Sequence, residues 1–146
     1  MTRKDKELLL QDLCGRLPYG VKCEIGGKLE ILDSICDDDG YYFNFIGEDK
    51  EGYTLDEVKP YLFPLSSMTK EQMEELKELC DMYTPDDDYC PYAYMGIEVL
   101  NKHVLDDDYE FNFKTDAIDW FNKNHFDYRG LIPKGSAIDA TGLNIY

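Results

Sequence analysis

The apolar residues of the first twenty positions repeat with the period of a helix. Four leucines between Leu8 and Leu13 give one apolar face to a helix predicted over residues 4–14. Gly15 is expected to end this helix in the left-handed conformation, and Pro18 prevents the helix from resuming.

From residue 21 the apolar period becomes that of a strand. Residues 21–25 alternate apolar and polar side chains, and Gly26-Gly27 signals a hairpin because both glycines reach positive φ freely. Two further strands follow, over 29–35 and 41–46. The pattern predicts an antiparallel meander over residues 20–47.

Two capping-box sequences mark helix starts further along the chain. The first, Thr54–Glu57, predicts one helical turn that Pro60 stops or bends, followed by an apolar connector over residues 61–65. The second, Thr69–Gln72, predicts the start of a helix over 70–83, whose apolar side chains fall on one face.

The last third of the chain predicts one more helix and an ordered tail. Thr115 is a suitable N-cap for a helix over 116–124. The tail from Asp127 carries enough apolar side chains to need a core, and residues 89–105 fit either a strand or a short helix. The elements predict one α+β domain over residues 1–146, with a small antiparallel meander and three helices packed on one face.

The chain is strongly acidic, and its acidic residues are concentrated in the middle of the sequence. There are 31 acidic against 15 basic residues, a net charge of −16, and residues 24–110 hold 24 of the acids and only six of the bases. Such a field repels nucleic acid and anionic lipid, and it attracts cations and basic proteins. The alternative is that the charge only keeps the protein soluble. The predicted acidic surface centres on three triplets: Asp37, Asp38, Asp39, Asp86, Asp87, Asp88, Asp106, Asp107 and Asp108.

The cysteines and the N-terminal sequence indicate a reducing compartment. The five cysteines are odd in number and none forms a C-x-x-C pair, so a secreted disulfide framework is not expected. We expect reduced, mostly buried thiols in a cytoplasmic protein. The first twenty residues hold only a three-leucine run, too short for a signal-peptide core, and no stretch has the roughly 18 apolar residues of a membrane span. No membrane partner is therefore expected.

No motif predicts catalysis, a metal or a cofactor. A calcium loop counted from Asp37 fails because Tyr41 and Tyr42 stand where a ligand and a glycine are required. The two histidines, His103 and His125, have no metal-ligand partners at the usual spacing. Phosphate-binding, dinucleotide-binding and serine-nucleophile motifs do not occur. We expect no cofactor and no catalytic residue, and weak cation binding at the Asp triplets stays open.

The densest mixture of chemically active side chains lies in residues 122–130. A histidine there titrates near neutrality, and an arginine offers a fork for a carboxylate or phosphate. The candidate ligand-binding residues, including two that join if the tail folds back, are His125, Asp127, Tyr128, Arg129, Asp139 and Thr141. The structural alternative is that His125 ends a helix and that Asp127 pairs with Arg129 to fix the next turn.

Three blocks of sequence carry a resemblance to a known family. Residues 12–20 (DLCGRLPYG), 59–69 (KPYLFPLSSMT) and 122–146 (NKNHFDYRGLIPKGSAIDATGLNIY) resemble uncharacterised proteins of gut Bacteroides-type bacteria and their mobile elements. The blocks cover under a third of the chain. The resemblance implies a bacterial cytosolic setting, such as a phage or prophage, and implies no catalytic residue.

Three hypotheses about function follow from these patterns. The leading one is a non-enzymatic binding protein that presents an acidic surface to a basic protein partner; in its sharpest form it is a decoy that matches the phosphate spacing of DNA. The second is a small-ligand or nucleotide-binding protein, or an enzyme, with its site around residues 122–141. The third is an accessory subunit that self-associates through its tyrosine- and phenylalanine-rich surface.

Overall fold

The structure is a computed structural model that describes residues 1–37, 39–47, 52–81 and 115–146. The ambiguous stretch 89–105, together with Asp38 and the triplets 86–88 and 106–108, lies outside the described residues. The described helices and strands are α1 (Arg3–Arg16), β1 (Lys22–Ile25), β2 (Lys28–Asp37), β3 (Tyr41–Phe45), β4 (Val58–Leu62), α2 (Lys70–Asp81), α3 (Thr115–Lys123) and β5 (Ile138–Asp139).

The strands form one mostly antiparallel sheet in the order β3-β2-β1-β4-β5. The first three are the predicted meander, and the turn between β1 and β2 places Gly26 and Gly27 at φ 56° and 84°. β4 joins β1 antiparallel, while the short β5 joins β4 parallel. The α+β class and the meander are therefore confirmed.

Helix α1 runs past its predicted end. Thr2 and Asp5 form a reciprocal capping box at its start. Gly15, however, lies inside the helix, and the prediction that it ends α1 is wrong. A Cβ atom at Gly15 would stand 2.9 Å from Nδ2 of Asn122, so the glycine allows α1 to approach the end of α3 closely. The left-handed residue comes later, at Gly20 with φ 64°.

A strand takes the place of the connector predicted around Pro60. Glu57 Oε2 accepts from Thr54 N–H, which is one half of the predicted capping box, and also from Thr54 Oγ1, but the chain leaves after one turn. It then enters β4, where Val58, Pro60 and Leu62 are buried in alternation with more exposed neighbours. The chain forms a strand here because burying every second side chain in the core outweighs the helical start signal at Thr54.

The two later helices are present where the sequence predicts them. α2 begins with the predicted box, in which Gln72 N–H donates to Thr69 Oγ1 and Thr69 N–H donates to Gln72 Oε1. α3 occupies Thr115–Lys123, within one residue of the predicted bounds. The two helices pack together, and Trp120 Nε1 donates to Glu75 Oε2 across them at 3.2 Å.

Two groups of buried side chains form the core. One lies between α1 and the sheet and is led by Leu9, Leu13, Val21, Cys23, Phe43 and Leu62. The other joins α2 and α3 to the following loop through Leu65, Leu76, Ala117, Phe121 and Phe126. Leu131, Ala137 and Ala140 are also buried, so the tail is ordered within the fold as expected.

The expectation of mostly buried thiols is wrong for the cysteines whose exposure is described. Cys23 is buried, but Cys14 and Cys36 are exposed, and all three are free. Burial raises the pKa of the Cys23 thiol well above its ordinary value. Within the described ranges, no helix combines the length and apolar character needed to cross a bilayer.

Candidate functional site

A buried ion pair on α1 lies at the centre of the polar residues. Asp12 and Arg16 are both fully buried, and the guanidinium contacts the carboxylate through Nε at 2.7 Å and Nη2 at 3.0 Å. The same guanidinium donates to the carbonyls of Phe121 (3.3 Å) and Phe126 (2.6 Å). Burial opposes the charge of Arg16, but the Asp12 carboxylate holds its pKa above the ordinary value. The pair thus ties α1 to the end of α3.

Sequence reasoning missed this pair although a signal was present. Asp12 and Arg16 stand at i+3 and i+7 from Leu9, so they lie on the same helical face as the buried Leu9 and Leu13. Two residues of opposite charge that stand four positions apart on an apolar helix face indicate a buried ion pair. Both residues also lie in the first block that carries the family resemblance, residues 12–20, but that position alone does not predict the contact.

Asp127 is used to build the loop after α3. Its two carboxylate oxygens accept from the backbone N–H groups of Leu131 and Ile132, each at 2.8 Å, and the side chain is buried. Burial raises the pKa of Asp127 above its ordinary value, against the effect of these two hydrogen bonds. The expected Asp127–Arg129 pair is not the device that fixes this turn, because backbone donors surround the carboxylate instead.

Arg129 and Tyr128 complete the same cluster from the other side. Arg129 Nε lies 3.5 Å from Asp12 Oδ1, so the buried carboxylate contacts two arginines. The Arg129 guanidinium lies 4.8 Å from the centre of the Tyr128 ring, which in turn stacks on Phe121 with centroids 5.1 Å apart. We refer to Asp12, Arg16, Asp127, Tyr128 and Arg129 as the polar cluster.

Three of the six predicted ligand-binding residues lie outside the polar cluster, namely His125, Asp139 and Thr141. Asp139 and Thr141 are exposed, and Thr141 N–H donates to Asp139 Oδ1 at 2.8 Å in a local turn. No hydrogen bond or ion pair recorded among the described residues joins either of them to Asp127 or Arg129. Ligand binding at the six predicted residues stays a prediction, and the geometry assigns most of their polar groups to the scaffold.

His125 has the most unusual environment of the six. Its backbone is left-handed at φ 58°, and its side chain is 8% exposed. Within the described part of the chain its Nδ1 has no hydrogen-bond partner. The imidazole stacks on the ring of Tyr146, with centroids 3.8 Å apart and planes 15° apart. Left-handed residues other than glycine carry strain that the surrounding structure must offset.

The environment of His125 keeps its imidazole neutral near pH 7. Burial, followed by the positive charges of Arg16 and Lys22, lowers the pKa of His125 to about 4. The unfolded chain binds this proton near pH 6.5, so the folded state binds fewer protons between these two values. The stability contributed by the neutral imidazole is therefore complete above pH 6.5 and is lost as the pH falls towards 4.

Acidification is thus expected to destabilise the protein through His125. Lowering the pH from 7 to 5 should reduce the free energy of unfolding by about 1–2 kcal/mol from this group, measured by urea denaturation. The control is His125→Asn, because asparagine tolerates positive φ but does not titrate. Between pH 7 and pH 5, the free energy of unfolding of this variant should fall by about 1–2 kcal/mol less than that of the wild type. Parallel pH profiles for the two proteins would contradict the assignment.

The acidic side chains are exposed on several described elements. Of the triplet at 37–39, Asp37 and Asp39 are exposed at the end of β2 and the following turn. A set that the triplet prediction omitted lies on the exposed face of α2, at Glu71, Glu74, Glu75 and Glu78. We call these four residues the glutamate stripe. Asp116 and Asp119 are exposed on the adjacent α3.

The described polar side chains lie partly in the loop scaffold after α3 and partly on an exposed acidic surface. Among the described ranges, no three Cys, His, Asp or Glu side chains are grouped as metal ligands. Tyr41, Tyr42 and Ile46 are exposed on and beside β3, and self-association through such residues stays a prediction. Comparison of the chain with protein-family models, with curated proteins and with solved structures finds no match in any of the three.

Proposed function

We propose that the protein is a non-enzymatic binding protein whose glutamate stripe on α2 receives a basic protein partner. The observation that carries the proposal is the spacing of the stripe: residues 71, 74, 75 and 78 are at i, i+3, i+4 and i+7 of one helix. That spacing puts all four carboxylates on one side of the helix. The opposite side holds Leu76 in the core.

Ion pairs neutralise acidic side chains elsewhere in the described part of the fold. On the N-terminal helix, Arg3 pairs with Glu7 and Lys6 with Asp56, while Lys134 lies 3.9 Å from Asp5. No ion pair is recorded for Glu71, Glu74 or Glu78 among the described residues. The adjacent Asp116 and Asp119 extend the same negative field onto α3.

The axial spacing of the stripe supports the sharper form of the proposal, a decoy of DNA. With a rise of about 1.5 Å per residue, the four carboxylates span about 10.5 Å of helix axis, in steps of about 4.5, 1.5 and 4.5 Å. Phosphates follow one another at about 3.4 Å along each DNA strand. The four charges on α2 are unevenly spaced, but their total span matches about three phosphate steps, or about 10 Å of one DNA strand.

A competition experiment tests the proposal. The probe is a basic helix-turn-helix domain bound to a fluorescein-labelled duplex, and displacement of the duplex is followed by fluorescence anisotropy. The wild-type protein should displace the duplex at about 50 mM salt and fail at about 200 mM, because charge pairing weakens steeply with salt. Substitution of Glu71, Glu74 and Glu78 by glutamine should weaken displacement at least about tenfold.

The matched control removes the same charge from another surface. Asp33, Asp37 and Asp39 are exposed on and after β2, and their replacement by asparagine should change displacement by less than about twofold. Equal losses for the two triple variants would show that net charge alone acts, and would refute the stripe as the binding surface. Absence of displacement by the wild-type protein would refute the decoy.

A further inference from the structure

We propose that the seat of the Tyr146 side chain is a binding slot for a planar hydroxyaromatic group, and that the chain's own Tyr146 closes it. The slot is formed by Lys22, Tyr61, Phe63 and His125, and we call it the Tyr146 slot. It is aromatic and basic, whereas the glutamate stripe is acidic. The inference therefore goes beyond the proposed function and does not depend on it.

The walls of the slot fit a flat ring. His125 stacks on one face of the Tyr146 ring at 3.8 Å between centroids, and Phe63 lies against it at 5.8 Å with planes 56° apart. The Lys22 ammonium lies 5.5 Å from the ring centre, within range of a cation–π contact. A stacked face, a tilted neighbour and a cation are together the surroundings that an electron-rich aromatic ring prefers.

Two backbone groups at the inner end of the slot form hydrogen bonds with a hydroxyl group. The Tyr146 hydroxyl accepts from Lys22 N–H at 2.9 Å and donates to the carbonyl of Tyr61 at 2.9 Å. Lys22 and Tyr61 would be the next opposed pair after Cys23 and Pro60, where the β1–β4 register ends. The hydroxyl thus stands between two strands at the point where their pairing opens. A ring without a hydroxyl would lose both hydrogen bonds, and because Tyr146 is 41% exposed the loss is expected to be modest, about 1 kcal/mol.

The segment that carries Tyr146 into the slot is lightly attached. Residues 141–144 are exposed, and Gly142 and Asn144 have left-handed backbones at φ 76° and 51°. Beyond Ala140, whose carbonyl accepts from Leu143 N–H, the segment is held by the Lys22 ammonium at the Ile145 carbonyl and by Tyr146 itself. The opening motion that the proposal requires is a rotation near Gly142, which lies outside the strands of the sheet.

His125 is the residue of the slot whose environment most strongly indicates a binding site. Its imidazole is more than nine-tenths buried, its Nδ1 lacks a partner among the described residues, and its backbone is left-handed. Buried polar atoms without partners and strained backbones concentrate at binding sites. The Tyr146 side chain stacks on the His125 ring and leaves this nitrogen without a hydrogen bond.

Binding of p-cresol, the side-chain analogue of tyrosine, tests the slot directly. In Tyr146→Ala the slot is open, and p-cresol should cause saturable NMR shifts at the Lys22 amide and the His125 ring. Wild-type protein should need at least about tenfold more p-cresol, because its own residue must first leave. Toluene, which lacks the hydroxyl, should bind Tyr146→Ala about fivefold more weakly than p-cresol.

Two further variants make every outcome decisive. Leu143→Ala alters the exposed segment 141–144 without changing a residue of the Tyr146 slot, and it should behave as the wild type. Tyr146→Phe keeps the ring but loses the hydroxyl bridge, so it should bind p-cresol about fivefold more tightly than wild type even if Tyr146→Ala fails to fold. The proposal is overturned if toluene equals p-cresol, if the open variant binds no more tightly than wild type, or if Tyr146→Phe matches wild type.

Discussion

Substitution of Arg16 by methionine is expected to lower the free energy of unfolding by about 3–5 kcal/mol. Arg16 is fully buried and its guanidinium satisfies Asp12 as well as the carbonyls of Phe121 and Phe126. Methionine fills a similar volume but leaves a buried carboxylate and two carbonyls with fewer partners. The loss is large compared with the roughly 5–15 kcal/mol that stabilise a typical domain.

Urea denaturation at neutral pH measures this effect, with Arg3→Met as the control. Arg3 also pairs with a glutamate four residues away, but its side chain is 94% exposed. Exposed pairs contribute about 0.5 kcal/mol or less, so this variant should resemble the wild type. A loss below about 1 kcal/mol for Arg16→Met would contradict the view that the buried pair joins α1 to the end of α3.

Substitution of Asp127 by alanine is expected to cost about 3 kcal/mol. Its carboxylate accepts two backbone hydrogen bonds, from Leu131 and Ile132, in a buried position. Each buried N–H that loses its acceptor costs about 1–3 kcal/mol, and part of this cost is recovered because a buried charge is also removed. The amides of Leu131 and Ile132 should exchange their hydrogens faster in the variant.

Asp139→Ala is the matched control, because Asp139 makes the same kind of bond at an exposed site. Among the described residues, Thr141 N–H donates to its Oδ1, and the loss should be about 1 kcal/mol or less. If Asp127→Ala and Asp139→Ala have equal effects, Asp127 is not a structural element of the loop. Retained stability together with unchanged exchange at Leu131 would lead to the same conclusion.

The local patterns of the sequence predicted most of the elements but not the contacts between them. The Gly26-Gly27 hairpin and the Thr69–Gln72 box are decided by residues close in sequence, and both are present. Gly15 was expected to end α1, yet its role depends on Asn122, more than a hundred positions away. Local periodicity carries no information about such a distant neighbour.

The strand at Val58–Leu62 also shows that local sequence patterns do not determine long-range pairing. A capping box and a proline favour a short helical turn at this position, and the turn does form. The strand follows because β1 offers a partner edge and the core accepts Val58 and Leu62. Tertiary pairing therefore overrides a local signal that was read correctly.

The candidate site was located by composition but not resolved into roles. Residues 122–130 do lie in a polar region, yet its principal partners, Asp12 and Arg16, come from the first helix. The Tyr146 ring was not among the predicted residues, because an aromatic side chain near the end of the sequence gives no sign of what it stacks on. The contact with His125 arises only from the fold.

We propose that the glutamate stripe receives the partner while the polar cluster serves as scaffold. The most direct measurement of this claim is a ¹⁵N NMR titration of the protein with the basic helix-turn-helix domain at low salt. Among the described residues, the largest amide shifts should fall within Lys70–Asp81, and residues 125–132 should change little. Largest shifts in residues 125–132, or shifts spread evenly over the described residues, would contradict the claim.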